Sequence, residues 1–203
     1  MNLSIEGPAG KLEASYQVSS DQKQGEAQHA ALLCHPHPSY GGSMHDGVLA
    51  VTASVLENDA PNTHWAHLRF NFRGVGHSDG QFDNGLGEQA DLIAAWEWLR
   101  AQQDWQSLAL IGYSFGSAMA WSAHKSCAGL TKLLLIAPPT AAMPFATAQT
   151  DIQNHVIVGG DDDYCDLNNL PGGASCEVLP GTDHFFSGST AELSQAVTRW
   201  LGS

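Results

Sequence analysis

The sequence predicts an α/β fold in which a mostly parallel sheet is covered by helices on both faces. Three observations support this prediction. Short apolar runs such as residues 30–34 and 133–137 are typical of strands that are buried on both faces. Segments with apolar residues at helical spacing separate those runs. Loops rich in turn-forming residues join the two kinds of segment, and strands that alternate with helices in this way indicate parallel pairing.

The length and the charge limit the classes of function. A chain of 203 residues suits one domain, which we expect to span residues 1–203. Its 8 Lys and Arg residues against 21 Asp and Glu residues give a net charge of −13, which disfavours nucleic acid and anionic membranes as partners. The first fifteen residues lack the pattern of a secretory leader, and no apolar run reaches the roughly 18 residues of a membrane span. We therefore expect a cytoplasmic protein.

The four cysteines are too scattered for a zinc pattern. In a chain without a secretory signal, Cys34, Cys127, Cys165 and Cys176 are expected to be free thiols. A bridge between Cys165 and Cys176 is the alternative.

In the first half of the chain, the pattern predicts three strands and two helices. The predicted strands are residues 11–18, 30–34 and 67–72. One predicted helix covers residues 46–56, and the other has about 15 residues, ends near Gln102 and carries a stripe of Leu92, Trp96 and Leu99. Residues 73–87 form a glycine-rich loop between them, in which Arg73 and His77 are interpreted as loop-structuring residues.

In the second half, strands and helices continue to alternate. A strand beginning at Ser107 leads into a tight turn, and the alanine-rich residues 117–125 predict a helix. Further strands are predicted at residues 133–137, 152–159 and 175–179. Ser189 and Glu192 fit a capping box. They precede a terminal helix with an apolar face of Leu193, Val197 and Trp200.

Residues 112–116, GYSFG, carry the sharpest chemical signal. They fit the pattern G-x-S-x-G, in which a strained turn between a strand and a helix lifts a serine hydroxyl above the sheet edge. Glycine at positions 112 and 116 permits close approach of neighbouring backbone. The N-terminus of the following helix favours negative charge on a bound oxygen. Ser114 is therefore the predicted nucleophile.

A serine nucleophile needs a base that takes its proton and an acid that orients the base. With this motif, the order along the chain is serine, acid, histidine. His184 lies between the last predicted strand and the last helix, and it is the predicted base. The acid is expected in residues 159–163, GGDDD, which alone would also fit a solvated acidic turn. Asp162 is the predicted acid, with Asp161 and Asp163 as alternatives.

Residues 35–38, HPHP, follow the first buried strand. Two histidines two positions apart could ligate a metal, but no third ligand is evident in the sequence, so no metal is predicted. An oxyanion hole needs one backbone N–H from the residue after the nucleophile and one from the loop after an earlier strand. Proline has no N–H to donate. Phe115 and His37 are therefore the predicted donors, with Ser39 or Tyr40 as alternatives to His37.

Several motifs together resemble one protein family. HPHPSYGGSMHD, LRFNFRGVGHSDGQFDNG, GYSFGS, LLLIAPP and GTDHFF occur in this order between about Ala30 and Leu201. With them the chain resembles the small bacterial α/β-hydrolases related to dienelactone hydrolase. The resemblance implies the α/β-hydrolase fold and a triad matched by Ser114, Asp162 and His184. Dienelactone hydrolases use a cysteine nucleophile, whereas position 114 is serine, so a dienelactone substrate is not implied.

These patterns lead to an expected function. We expect a serine hydrolase without a cofactor that acts on a small or medium acyl ester or thioester. The short connection between the predicted strands 133–137 and 152–159 leaves no room for a cap domain, so an open site is expected. The alternatives are an amidase or peptidase that uses the same residues, and a non-catalytic binding protein with this fold.

Overall fold

The computed structural model describes residues 1–18, 28–60, 65–143, 145 and 150–202. Within these residues, eight strands form one sheet in the order β1-β2-β4-β3-β5-β6-β7-β8. The strands are β1 (Asn2–Gly7), β2 (Gly10–Val18), β3 (His29–Cys34), β4 (Trp65–Phe70), β5 (Ser107–Tyr113), β6 (Lys132–Ile136), β7 (Gln153–Gly159) and β8 (Ser175–Leu179). Strand β2 is antiparallel to both of its neighbours, and each pairing from β4 across to β8 is parallel. The predicted mostly parallel sheet is confirmed.

Helices cover both faces of the sheet. They are α1 (Gly47–Ser54), α2 (Leu86–Arg100), α3 (Phe115–Ala123) and α4 (Thr190–Leu201), and a π-helical segment, Val55–Asp59, continues α1. Helices α2 and α3 pack in one apolar cluster, and α1 and α4 pack in another. Strand β3 shows why both faces need cover, since Leu32 faces the first cluster, Leu33 faces the second, and both are fully buried.

The two apolar stripes that the sequence predicts are buried. Leu92, Trp96 and Leu99 of α2 have no exposed surface, and Leu193 and Val197 of α4 have none either. Burial of an aliphatic or aromatic side chain of this size contributes about 1.5 to 3 kcal/mol relative to its exposure. These stripes therefore hold α2 and α4 against the sheet.

Three local predictions differ from the structure. Strand β1 is absent from the sequence-based prediction because, at the sheet edge, only Ile5 of its apolar residues is fully covered. Strand β4 begins at Trp65, two residues before the predicted start. The capping box at Ser189 is wrong: the Ser189 side chain caps no helical N–H, and its hydroxyl oxygen instead accepts a hydrogen bond from Thr182 Oγ1 at 3.1 Å.

The connection between β6 and β7 is only partly described, because residues 144 and 146–149 of the predicted short segment lie outside the described residues. Among the helices that the structure describes, none is long and apolar enough to cross a membrane. All four cysteines are free, so the alternative of a Cys165–Cys176 bridge is not found.

Candidate active site

The predicted site residues meet at the carboxyl ends of the parallel strands. Ser114 follows β5 directly, Asp162 follows β7 by three residues, and His184 lies in the loop between β8 and α4. His37 lies in the loop after β3, where its ring is 4.9 Å from that of Phe115. Ligands of open parallel sheets bind at this edge. The fold therefore brings residues from four separate loops to one place.

The turn at Ser114 is sterically forced. Ser114 has a φ of 51° and a ψ of −118°, a backbone conformation that costs a non-glycine residue on the order of 1 to 3 kcal/mol. Its N–H donates to the Ile136 carbonyl at 2.9 Å, which ties the turn to β6. A Cβ on Gly112 would collide with the carbonyl of Gly116, and a Cβ on Gly116 would collide with that of Cys34. Both glycines are thus required for the turn.

Serine, histidine and aspartate form a chain of hydrogen bonds. Ser114 Oγ lies 3.0 Å from His184 Nε2, and His184 Nδ1 lies 2.9 Å from each carboxylate oxygen of Asp162. A carboxylate at Nδ1 keeps the proton on that nitrogen, which leaves Nε2 free to accept the serine proton. His184 is 7% exposed and Asp162 is 8% exposed, so little water competes for these contacts. This is the geometry that activation of a serine requires.

The backbone around the GGDDD segment selects Asp162 as the residue that meets His184. The N–H of Asp161 donates to the Thr182 carbonyl at 2.9 Å, which fastens this loop to the loop of His184. A Cβ on Gly159 would collide with the same carbonyl, so the close approach needs glycine there. The side chains of Asp161 and Asp163 are exposed, whereas that of Asp162 is buried against His184. The two alternative acids do not contact the histidine.

Aromatic residues that the sequence analysis missed support His184. The Tyr113 hydroxyl donates to the His184 carbonyl at 3.1 Å, and burial raises the pKa of Tyr113, which keeps it a donor. The rings of Tyr164 and Phe185 lie 4.6 and 5.3 Å from the His184 ring. Tyr113 stands inside the G-x-S-x-G motif, which was a usable signal. Nothing in the sequence around Tyr164 indicated its contact.

His35, the first histidine of HPHP, is fully buried and has a structural role. Its Nδ1 donates to the Pro36 carbonyl at 2.6 Å, and its Nε2 accepts the N–H of Phe72 at 3.0 Å. Burial lowers the pKa of His35 to about 4, against the opposing effect of the hydrogen bond to Pro36. A neutral His35 therefore fastens the start of this loop to the segment just after β4.

The rest of the HPHP loop bears on the choice of oxyanion donors. The Ser39 N–H donates to His37 Nδ1 at 3.1 Å, and the Tyr40 N–H donates to the His37 carbonyl at 3.1 Å, so both alternatives already have acceptors. In the described part of the chain, neither the His37 N–H nor the Phe115 N–H has a hydrogen-bond acceptor. One free N–H on the residue after the nucleophile and one in the loop after β3 match the pair of donors that an oxyanion hole requires.

Within the described residues, no group of three or more His, Cys, Asp or Glu side chains is arranged to hold a metal ion. The glycine-rich loop after β4 is instead held by an ion pair. Arg73 Nη2 and Nε lie 2.7 and 2.9 Å from the carboxylate of the fully buried Asp91. This contact confirms the interpretation of Arg73 as a loop-structuring residue. The same loop brings the Phe82 ring to 4.9 Å from that of His37.

Comparisons with known proteins agree with this architecture. A family model described as the α/β-hydrolase fold matches residues 37–124. The uncharacterised protein RP471 of Rickettsia prowazekii is 32% identical over 212 residues, which cover 96% of this chain and 86% of that protein. XC6422 of Xanthomonas campestris, described as an α/β serine hydrolase without a lid, is 33% identical with a TM-score of 0.88, covering 100% of this chain and 93% of that one.

A homologue of α/β serine hydrolases from Coxiella burnetii is 29% identical, with a TM-score of 0.87 and coverage of 98% and 96% of the two chains. A dienelactone hydrolase from Anabaena variabilis, at 20% identity and a TM-score of 0.72 over 100% and 96% of the chains, shares the fold. This chain therefore belongs to the α/β-hydrolase family. The predicted family and fold are confirmed, and the membership supports hydrolase activity.

Proposed function

We propose that this chain is a serine hydrolase that cleaves small or medium acyl esters or thioesters. The observation that carries the proposal is the 3.0 Å contact between Ser114 Oγ and His184 Nε2, with Asp162 on the opposite nitrogen of the ring. A serine on a strained turn, next to a histidine that a carboxylate orients, can become a nucleophile at neutral pH.

In the acylation step, His184 Nε2 takes the proton of Ser114 as Oγ attacks the substrate carbonyl carbon. The carbonyl oxygen becomes an oxyanion, which the N–H groups of Phe115 and His37 stabilise. The intermediate collapses, the bond to the alcohol or thiol breaks, and His184 returns the proton to the leaving atom. The acyl group is then esterified to Ser114.

In the deacylation step, His184 takes a proton from water, and the resulting hydroxide attacks the acyl carbon. Collapse of the second intermediate releases the carboxylic acid and restores the proton to Ser114. Asp162 stabilises the imidazolium in both steps without itself taking the proton. No cofactor takes part in either step as proposed.

The net charge of the chain limits the proposed substrate. A net charge of −13 disfavours a polyanionic substrate. The location in the cytoplasm, the single domain over residues 1–203 and the absence of nucleic acid as a partner stay predictions.

The test is covalent labelling with a fluorophosphonate, read by intact mass. The wild type should gain one adduct and Ser114→Ala none, and turnover of simple esters should fall by about 10⁴-fold or more in the variant. Ser122→Ala is the matched control, because Ser122 is exposed on the same helix that follows the nucleophile. Equal labelling of folded wild type and Ser114→Ala would contradict the proposal. A parallel panel of anilides separates amidase from esterase activity.

A further inference from the structure

A small pocket lies between the first turns of α1 and α4. It has a volume of about 170 Å³ and lies behind the loop of His184. Its walls include Gly47 and Val51 of α1, Leu193 of α4, Tyr113 at the end of β5, and Phe185. The proton transfers described above do not use this space.

Two walls of the pocket touch the proposed catalytic residues. The Tyr113 hydroxyl donates to the His184 carbonyl at 3.1 Å, and Tyr113 directly precedes Ser114 in the chain. The Phe185 ring meets the His184 ring edge to face at 5.3 Å. A group that occupies the pocket therefore contacts side chains that themselves contact His184 and adjoin Ser114.

The pocket walls suit an uncharged apolar group. The lining includes the apolar side chains of Val48, Val51, Leu193, Phe185 and Phe186. Among the described residues of the lining, Asp46 is the charged one and none is Lys or Arg. The Oδ1 of Asp46 accepts the Val48 N–H at 2.8 Å as the cap of α1. An anionic group would face this carboxylate without a cation to balance it.

The size of the pocket restricts that group further. Cavities of about 150 Å³ lined by apolar residues hold one benzene ring, whereas pockets for drug-sized ligands have roughly 300 to 1,000 Å³. Phe186, a residue of the lining, has a strained backbone conformation with a φ of 54°. Such strain persists where the surrounding packing enforces it, and it concentrates at active sites and ligand clamps.

We propose that this pocket binds one small, uncharged, apolar group of the ester, of the size of a phenyl ring or a butyl chain. The inference rests on the proposed function, because it places the rest of the ester at Ser114. The group belongs either to the acyl side or to the alcohol side of the ester. Both share the same chemistry, and the two arms of the test separate them.

The test adds volume at the pocket wall on α1. Gly47 is an exposed residue of the lining and a Cβ on it would meet no atom within 4 Å, so Gly47→Leu adds a side chain at the wall without a backbone clash. Ala50→Leu is the matched control, since Ala50 is exposed on the same helix and is not part of the lining. Hydrolysis is followed by pH-stat titration, with ethyl butanoate against ethyl acetate for the acyl side and butyl acetate against ethyl acetate for the alcohol side.

We expect the ratio of kcat/KM for the larger ester over the smaller one to fall about tenfold in Gly47→Leu, in the arm whose group occupies the pocket. The ratio should stay at its wild-type value in Ala50→Leu. Val51→Ala, which enlarges the pocket, should shift the preference towards larger groups in the same arm.

Unchanged ratios in both arms, with turnover still dependent on Ser114, would overturn this inference and leave the proposed function intact. Wild-type protein that hydrolyses none of these esters and takes no fluorophosphonate would overturn the proposed function and this inference with it.

Discussion

The loops after β3 and after β8 each place a buried histidine at the same edge of the sheet, yet the two histidines have different partners. His35 is held by two backbone groups, the Pro36 carbonyl and the Phe72 N–H. His184 is held by two side chains, the Asp162 carboxylate and the Ser114 hydroxyl. Both rings are at least nine-tenths buried, so burial does not distinguish them.

The partners determine what each ring can do. A carbonyl can only accept and an N–H can only donate. The ring proton of His35 is therefore confined to Nδ1, which faces the Pro36 carbonyl. Protonation of Nε2 would place two donors against each other at Phe72. The Ser114 hydroxyl, in contrast, can give its proton away, and the carboxylate on the far side of His184 stabilises the charge that results. The identity of the partners, and not burial, therefore separates a structural histidine from a candidate base.

The largest effect is expected from His184→Gln. Glutamine can still donate to Asp162, but it cannot take a proton from Ser114. We expect kcat for a simple ester to fall on the order of 10⁴-fold or more. The variant should remain folded, because glutamine keeps a donor to Asp162, and urea unfolding checks this. A variant that keeps more than a tenth of the wild-type turnover would end the assignment of His184 as the base.

The next effect concerns the N–H of His37. Its φ of −59° is already the angle of a proline, so His37→Pro removes the N–H without a new backbone angle at that residue. His37→Ala removes the same side chain and keeps the N–H. We expect kcat to be about 10²-fold to 10³-fold lower in the proline variant than in the alanine variant. Equal kcat in the two variants would show that another group stabilises the oxyanion.

Much of the fold could be predicted because its signals are local. Strand β3 is a continuous apolar run since it is buried on both faces, and the turn at Ser114 needs glycine at two fixed positions. The edge strand β1 lacks such a run, because one of its faces is largely exposed. The capping box failed because Thr182, seven residues upstream, engages the Ser189 hydroxyl, a contact that no local pattern encodes.

In the candidate site, too, some features could be predicted from the sequence and others could not. The positions of Ser114 and His184 follow from a motif and from chain order. The choice among three adjacent aspartates depends on the contact of the Asp161 N–H with Thr182, which exists only after β7 and β8 have paired. The roles of His35 and His37 differ because the two rings have different contacts. The His35 ring accepts the Phe72 N–H, whereas the His37 ring packs against Phe82 and Phe115. Such long-range contacts were beyond what residue spacing could resolve.

The smallest expected effect concerns His35 and its contrast with His184. The pKa of His35 is lowered to about 4 in the folded protein, below the ordinary value of about 6.5, so the unfolded chain binds this proton more readily. The stability that the neutral ring contributes is thus fully present above pH 6.5 and is lost as the pH falls towards 4.

Between pH 7 and pH 5, His35 alone should lower the free energy of unfolding by about 2 kcal/mol. In His35→Gln, which cannot titrate and can still accept the Phe72 N–H, the decrease over this range should be smaller by that amount. Urea unfolding of wild type and variant at the two pH values measures the difference and cancels the contributions of the other titrating groups. Parallel pH dependence in the two proteins would mean that His35 is protonated as readily in the folded state as in the unfolded chain, and its contrast with His184 would then disappear.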